Sequence, residues 1–590
     1  MILRALYDYY HQCGNLPQNG LGYERISFLI VIDKDGNFKR LEPSLTSDGK
    51  RGRKFLVIKG VERTSGDPKP NLFWDNVEYT LNDTKNKDAF VKSVNDVAAQ
   101  FPEETEFKAV SLFYEQGGVD LVRQNEYWLK IEKNQKVNVS FLIEGETHIV
   151  AENQTLHKLI EEPNDEVGIC LITGKRGNLV RLTTRTPIRG GDAKGKLVAF
   201  NKGKGFESFG KEQCLNAPIS YEAEEAYTTA LNHLLDDDSR NKIEFGDTRT
   251  FVFWSSGTGE VCQKAEKSLF DLLGYSSDDD NKDDPNAKIE EVRKVFKAIY
   301  TGVLKTEMDD RFFILGLAPN KTRIAVVYWS ETSLRDFAEK INRHFADMEI
   351  VDDHKGRRSY YGLWNMISTV TLNGDKENIT PNLPEAVAKS IFEGLPYPQT
   401  LYMACLRRIR AETAKSKEVK GKNAKDKDAK SKNVKGTGSV TQVRAAIIKA
   451  YLNRLNDNKN KKITTMLDKE NQNLGYLCGR LFAVLDKIQE DANSINTIRE
   501  RYMNSASTTP AAVFATILNL SSHHSEKLTK VSSKIFYEKT KQEIISKLPA
   551  DGFPAHLDLQ DQGRFFVGYY HEKQDLYTSK EAKQDEQIEE

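Results

Sequence analysis

Residues 175–211 hold the densest cluster of groups able to act on another molecule. Ten cations lie there: Lys175, Arg176, Arg181, Arg185, Arg189, Lys194, Lys196, Lys202, Lys204 and Lys211. Two acids oppose them, Asp192 and Glu207, so the local net charge is +8. The whole chain is neutral, with 86 basic and 86 acidic residues, so the excess is confined to this stretch. Seven glycines, Gly190 and Gly191 among them, are interleaved with the charges. Lysine and arginine neutralise phosphates, and glycine lets backbone N–H groups come close to them. The chemistry expected is contact with nucleic acid; the alternative is a solvated surface loop. The candidate contacts are Arg185, Arg189, Gly190, Gly191, Lys194, Lys196, Asn201, Lys202 and Lys204. Asn201 can donate and accept at once, which suits a base edge and equally suits a turn that bonds its own backbone. Phe200, Phe206 and Phe209 are expected to pack inward. A smaller cluster, Lys50-Arg51-Gly52-Arg53-Lys54, opens a strand. It fits either phosphate contact, through Lys50, Arg51 and Arg53, or solvation of a hairpin end.

Signatures of catalysis are missing. There is no G-x-x-x-x-G-K-[ST] phosphate loop, and Gly203-Lys204-Gly205 has Ser208 where G-x-G-x-x-G needs glycine. Gly205 to Gly210 encloses a serine at a spacing other than G-x-S-x-G. No H-E-x-x-H exists, and the adjacent His523 and His524 would diverge by about 100° on a helix. Asp278-Asp279-Asp280 and Asp283-Asp284 lack the spacing of a calcium loop and read as a polar loop before a helix. Six cysteines (13, 170, 214, 262, 405, 478) are far apart with no C-x-x-C, which argues against a zinc site or disulfide framework. Cys214 has no histidine near it in sequence to activate it as a nucleophile. The expectation is a protein without catalytic residues, metal or other cofactor, its thiols reduced in the cytoplasm.

These groups must be carried by a large framework. A chain of 590 residues predicts about three to five domains, or one multilayer body. No apolar run of 18 residues exists, so no membrane span is expected, and no secretory signal stands at the start. Residues 26–32, 54–58, 141–143, 167–172, 249–254, 311–317 and 323–329 are apolar and β-branched and read as strands. Turns are expected at Asp35-Gly36, Thr173-Gly174 and Ala318-Pro319-Asn320. A helix beginning near Asp284-Pro285 would bury Ile289, Val292, Phe296 and Ile299. Residues 1–355 therefore form a mixed α/β body, and 356–410 a helical segment. Residues 411–440 hold nine lysines, no aromatic residue and no aliphatic larger than valine, so they read as a flexible linker. Helical periodicity returns in 441–590. Leu477, Leu481, Leu485 and Ile488 make one stripe, and Thr509-Pro510 reads as an N-cap followed by a first-turn proline. The fold class is α+β, with an all-helical C-terminal bundle.

Several runs resemble one family in collinear order. They are Cys170-Leu171-Ile172-Thr173-Gly174, Leu197-Val198-Ala199-Phe200-Asn201, Phe206-Glu207-Ser208-Phe209-Gly210 and Asn216-Ala217-Pro218-Ile219-Ser220. Further on come 227–232, 315–320, 444–452, Gly479-Arg480-Leu481-Phe482 and Gly568-Tyr569-Tyr570-His571. The set is similar to the large subunit of type I-C CRISPR interference (Cascade) complexes. Residues 181–191 depart from that pattern, and the lysine-rich insert is longer. The resemblance implies a non-catalytic subunit that checks the flanking motif of target double-stranded DNA, aids duplex opening and recruits a helicase-nuclease. Its implied partners are the guide RNA, the Cascade backbone and guide-RNA 5′-end subunits, and a small subunit. The last would be this chain's own C-terminal region, made separately from an internal start at Met466. Arg480, Arg499 and Arg501 could then line nucleic-acid strands. Two other readings stay open: an endoribonuclease that processes the guide RNA, and a purely architectural subunit.

Overall fold

A computed structural model describes residues 2–61, 63, 67–161, 166–203, 205, 207, 209–274, 287–307, 310–351, 361–415, 439–455, 461–494 and 497–585. The chain forms two compact units, residues 1–239 with 318–326, and residues 240–317 with 327–590. Both mix helix and sheet or are helical, which makes the fold α+β.

The first unit contains strands β1 (Leu21–Ile26), β2 (Phe28–Ile32), β3 (Phe38–Pro43), β4 (Arg53–Ile58), β5 (Trp74–Asn76), β6 (Asn138–Ile143), β7 (Val167–Ile169) and β8 (Arg176–Asn178). One sheet has the order β3-β2-β6-β5, with β2 and β6 parallel. All five β2 residues are buried, as a near-continuous apolar run requires. Helices Lys85–Gln100 and Thr105–Glu115 contribute Phe90, Val94, Phe107, Val110 and Phe113 to the same core. Each such side chain contributes about 1.5–3 kcal/mol on burial. The apolar run 26–32 is two strands rather than one. Its break is Ser27, whose carbonyl accepts from Ser44 and whose N–H donates to Asn138. Upstream of Ser27, β1 pairs with β4; downstream, β2 joins the larger sheet. The run 167–172 is also shorter than expected, because Leu171 turns away to pair its N–H with Pro218.

The second unit has a sheet of order β12-β11-β10-β9, from β9 (Lys242–Glu244), β10 (Thr250–Ser255), β11 (Arg311–Asn320) and β12 (Arg323–Ser333). The expected turn at 318–320 is instead the end of β11, and the chain reverses at Lys321, which has a φ of 55°. Proline is tolerated at 319 because β11 has already run past β10, whose last partner is Leu317. Helix Ala287–Thr301 buries Ile289, Val292, Phe296 and Ile299 as its spacing predicts; Asp284-Pro285 and the aspartates at 278–284 lie outside the described residues.

Within 363–585 the described residues of this unit are mainly helical, with no strand among them. Helix Leu474–Asn493 is buried on every side from Gly475 to Gln489, a wider burial than one stripe implies. It lies close against helix Leu559–Asp585. A Cβ on Gly479 would collide with the Phe565 carbonyl, and one on Gly568 with that of Tyr476. Thr509 stands before Pro510 as expected, but its hydroxyl bonds back to Ser505 instead of capping. The linker span narrows: residues 411–415 complete helix Gln399–Lys415, Ser439 and Val440 are buried, and 416–438 lie outside the described residues. Met466 is 63% exposed, between helices Gln442–Arg454 and Leu474–Asn493. No helix among the described residues is long and apolar enough to cross a membrane.

Candidate nucleic-acid interface

Helix Tyr221–Leu235 organises the basic segment. Ser220 caps it by accepting from the Ala223 N–H. Two buried carboxylates follow. Glu225 accepts from the Gly20 N–H at 2.9 Å and from Lys59 Nζ at 2.7 Å. Glu224 accepts from the Thr184 N–H at 2.6 Å and from the Thr184 hydroxyl at 3.2 Å. Burial pushes the Glu224 carboxyl up to about 7, and the Thr184 N–H opposes that rise. A buried carboxylate needs donors, and this one draws the basic segment onto the helix.

The segment enters through the β7–β8 hairpin, whose turn places Gly174 at a φ of 71°. Val180 then bonds to Ile219, and Thr183 and Thr184 reach the helix. Residues 186–195 form a loop closed at its base by the Thr186 N–H and the Gly195 carbonyl, 2.8 Å apart. Inside it, the Gly191 N–H bonds Ile188 and the Gly195 N–H bonds Asp192. Gly190 has a φ of 73°, a conformation that L side chains resist. Ile188 is the loop's buried anchor. Past the loop, the Lys196 carbonyl accepts from the Ile324 N–H at the tip of the β11–β12 hairpin.

The candidate side chains fall into two groups. Arg185, Arg189, Lys194 and Lys202 are exposed. The Arg185 backbone is held by Asn232 of the helix at 3.1 Å, which leaves its guanidinium outside. Lys194 has no side-chain partner among the described residues. Lys202 sits 3.5 Å from Glu212, both exposed, a pair worth about 0–1 kcal/mol and easily exchanged for a phosphate. Lys196 differs, because its ammonium is turned back to the Thr183 carbonyl. Asn201 is exposed, and its amide oxygen accepts from Arg323 at the tip of the β11–β12 hairpin. Gly190 and Gly191 are exposed; Lys204 and Phe206 lie outside the described residues. Phe209 was expected to pack inward and is instead 89% exposed. Ile169, Leu171 and Leu182 are exposed in the same segment.

The second basic cluster meets an acidic loop. Arg51 pairs with Asp237 at 3.0 Å, and Lys54 with Asp236 at 2.7 Å and Asp238 at 3.0 Å. Arg25, opposite Lys54 on β1, adds a bond to Asp238 at 2.9 Å. Three cations thus face three aspartates that follow the C-terminus of helix Tyr221–Leu235. Lys50 and Arg53 remain exposed, with Arg53 over the Phe55 ring. The two basic clusters are about 130 residues apart in sequence and are both tied to this one helix. Sequence reasoning missed Glu224, Asn232 and Arg323, which position the segment. Only the run of acids at 222–225 signalled anything, and it signalled a helix start.

Burial works against ionising the Cys170 thiol, yet hydrogen bonds with Ser220 and Thr173 hold it below its usual range. Burial pushes the Cys214 thiol up, and it does the same at Cys262, to about 11, and at Cys405 and Cys478, to about 12. All six cysteines are free. His523 and His524 stand in the last turn of helix Pro510–Glu526. Among the described residues, no group of three histidine, cysteine or carboxylate side chains is placed to hold a metal. A family model described as CRISPR-associated protein (Cas_Csd1) matches residues 6–577. No curated protein matches the chain.

Proposed function

The chain belongs to the CRISPR-associated Cas_Csd1 family, and on that premise we propose that it is the non-catalytic large subunit of a type I-C interference complex. In that role it checks the flanking motif of target double-stranded DNA, aids duplex opening and recruits a helicase-nuclease for antiviral defence in the cytoplasm. Base pairing with the guide RNA reads the target, and protein reads the flanking motif, as in single-protein effectors. Its partners are the backbone and guide-RNA 5′-end subunits and a small subunit translated from Met466. Intact mass spectrometry of the expressed complex tests that start, since Met466→Leu should abolish the C-terminal fragment.

The observation that carries the reading is the set of exposed cations, Arg185, Arg189, Lys194 and Lys202, on a segment pinned by Glu224 and the hairpin tip. Exposed charges on a fixed base suit backbone phosphates. The test replaces these four with alanine and measures binding of target DNA by the assembled complex across salt concentrations. Four lost phosphate contacts make the slope of log affinity against log salt shallower by roughly 3.6. Unchanged affinity and slope in an assembled complex would leave the subunit an architectural one. RNA cleavage by the purified wild-type chain would make it a processing endoribonuclease.

A further inference from the structure

Away from the basic segment, the helical unit contains a cavity of about 440 Å³. Its walls come from helix Leu363–Val370 and the turn after it, from helix Gln399–Lys415, and from the start of helix Gln442–Arg454. Cavities in this size range hold nucleotide-sized ligands, and most are lined by apolar side chains. This lining is polar: Asn365, Ser368, Thr371 and Asn373 supply amides and hydroxyls, and Arg408, Glu412 and Arg444 supply charge.

The charges do not balance. Arg444 is buried and fully engaged, with both terminal nitrogens on Glu412 at 2.5 and 2.7 Å, one of them also on Ser439, and Nε on the Thr369 carbonyl. Arg408 shares the same carboxylate through Nη2 at 2.6 Å. Burial works against ionising Glu412, yet the bonds from Arg444 and Arg408 hold its carboxyl below the usual range. Two guanidinium groups therefore face one carboxylate, and the cavity wall carries a net positive charge. The Arg408 side chain is 15% exposed, its Nε has no acceptor, and Glu412 is its only acceptor among the described residues. An arginine this buried with donors to spare is unusual, because unpaired buried donors cost about 1–3 kcal/mol each.

We propose that this cavity is an anion site that takes a phosphate group, carried by a nucleotide or by a nucleic-acid strand, with Arg408 as the principal ligand. Glu412 fixes one edge of the Arg408 guanidinium, which leaves the fork pre-positioned for an oxyanion. The Asn373 amide supplies a neutral donor of the kind that a phosphate or a sugar hydroxyl requires, and the Ser368 hydroxyl, which donates to the Asn365 carbonyl, lines the same wall. The site is separate from the basic segment and does not depend on the reading given to that segment.

Calorimetric titration of the full-length chain tests this with three probes: inorganic phosphate, a mononucleotide, and a short single-stranded oligonucleotide. The expected result is millimolar or tighter binding of the mononucleotide, weakened about tenfold by Arg408→Gln. Arg408→Lys should retain part of the affinity. Ser368→Tyr, an exposed-side change that fills the cavity without entering the core, should abolish binding and guards against misfolding of the arginine variants. Inorganic phosphate binding as tightly as the mononucleotide identifies a free-phosphate site. A mononucleotide preferred over phosphate, and an oligonucleotide preferred over both, identifies a strand-binding one. Binding of none of the three by the wild-type chain, or equal binding by wild type and Ser368→Tyr, overturns the proposal.

Discussion

Residues 183–202 and the helix pair Leu474–Asn493 and Leu559–Asp585 are both rich in cations, and they use them in opposite ways. In the helix pair, Arg480 is fully buried between Glu543 and Glu572, each at 2.7 Å. Lys573 is fully buried on Asp486 at 2.7 Å, and the Tyr569 hydroxyl donates to the same carboxylate at 2.9 Å. Arg499 lies beside Asp486 as well, so neither Arg480 nor Arg499 lines a strand in the folded chain; Arg501 alone of that trio is exposed. In the basic segment the buried Glu224 lies beneath the chain and binds its backbone, while Arg185, Arg189, Lys194 and Lys202 are exposed. A buried cation is part of the fold, because removing its partner leaves a desolvated charge. An exposed cation is available to a ligand, because a solvated pair is worth only about 0–1 kcal/mol and is easily exchanged. Counting charges along a sequence cannot separate the two cases.

Four substitutions sharpen that contrast, and they differ in size. Arg480→Ala should be the most damaging, at about 3–5 kcal/mol, since it strands Glu572 in the core. Chemical denaturation would measure it; a loss below about 1 kcal/mol would show that the network is not a structural one.

Glu224→Gln should come next, and its effect depends on pH. The folded carboxyl keeps its proton up to about pH 7, whereas a free glutamate side chain loses it near 4.5. Between those values the native state binds more protons than the unfolded one, so wild-type stability falls as pH rises through the window. The fall is at most about 3 kcal/mol. Glutamine keeps an acceptor for the Thr184 N–H and does not ionise, so the variant's melting temperature should fall less between pH 4.5 and 7. Parallel pH curves for the two proteins would remove Glu224 from the account.

Lys196→Ala should lose about 1.5 kcal/mol, because its ammonium bonds the Thr183 carbonyl and no other donor replaces it there. It should also weaken DNA binding indirectly, by freeing the loop base. A stable variant that loses only one phosphate contact in the salt slope would place Lys196 with the exposed cations instead.

The joint replacement of Arg185, Arg189, Lys194 and Lys202 should change stability least, by no more than about 0.5 kcal/mol, while it changes the DNA salt slope most. A large drop in melting temperature would show that these side chains hold the loop.

Strands with continuous apolar runs, such as residues 311–317, and helices with clear periodicity, such as Ala287–Thr301, were legible because burial is written into local spacing. The split at Ser27 was not, because Ile26 and β2 flank it with apolar residues and only their different strand partners separate them. The N-cap expected at Thr509 failed for a local reason, since its hydroxyl bonds the Ser505 carbonyl four residues back, an alternative that the Thr-Pro pattern does not exclude.

The location of the basic segment, its glycine content and its collinear resemblance to one CRISPR-associated family were determined by the amino-acid sequence alone, because composition and order need no folding to be read. The structure decided which cations remain available. Lys196 and Arg480 look in sequence like Lys194 and Arg501, and they differ only in what the fold brings to them: the Thr183 carbonyl in one case, Glu543 and Glu572 in the other. Those partners lie 13, 63 and 92 residues away along the chain. Pairing over such separations is set by how helices and loops pack, which leaves no periodic trace in the sequence.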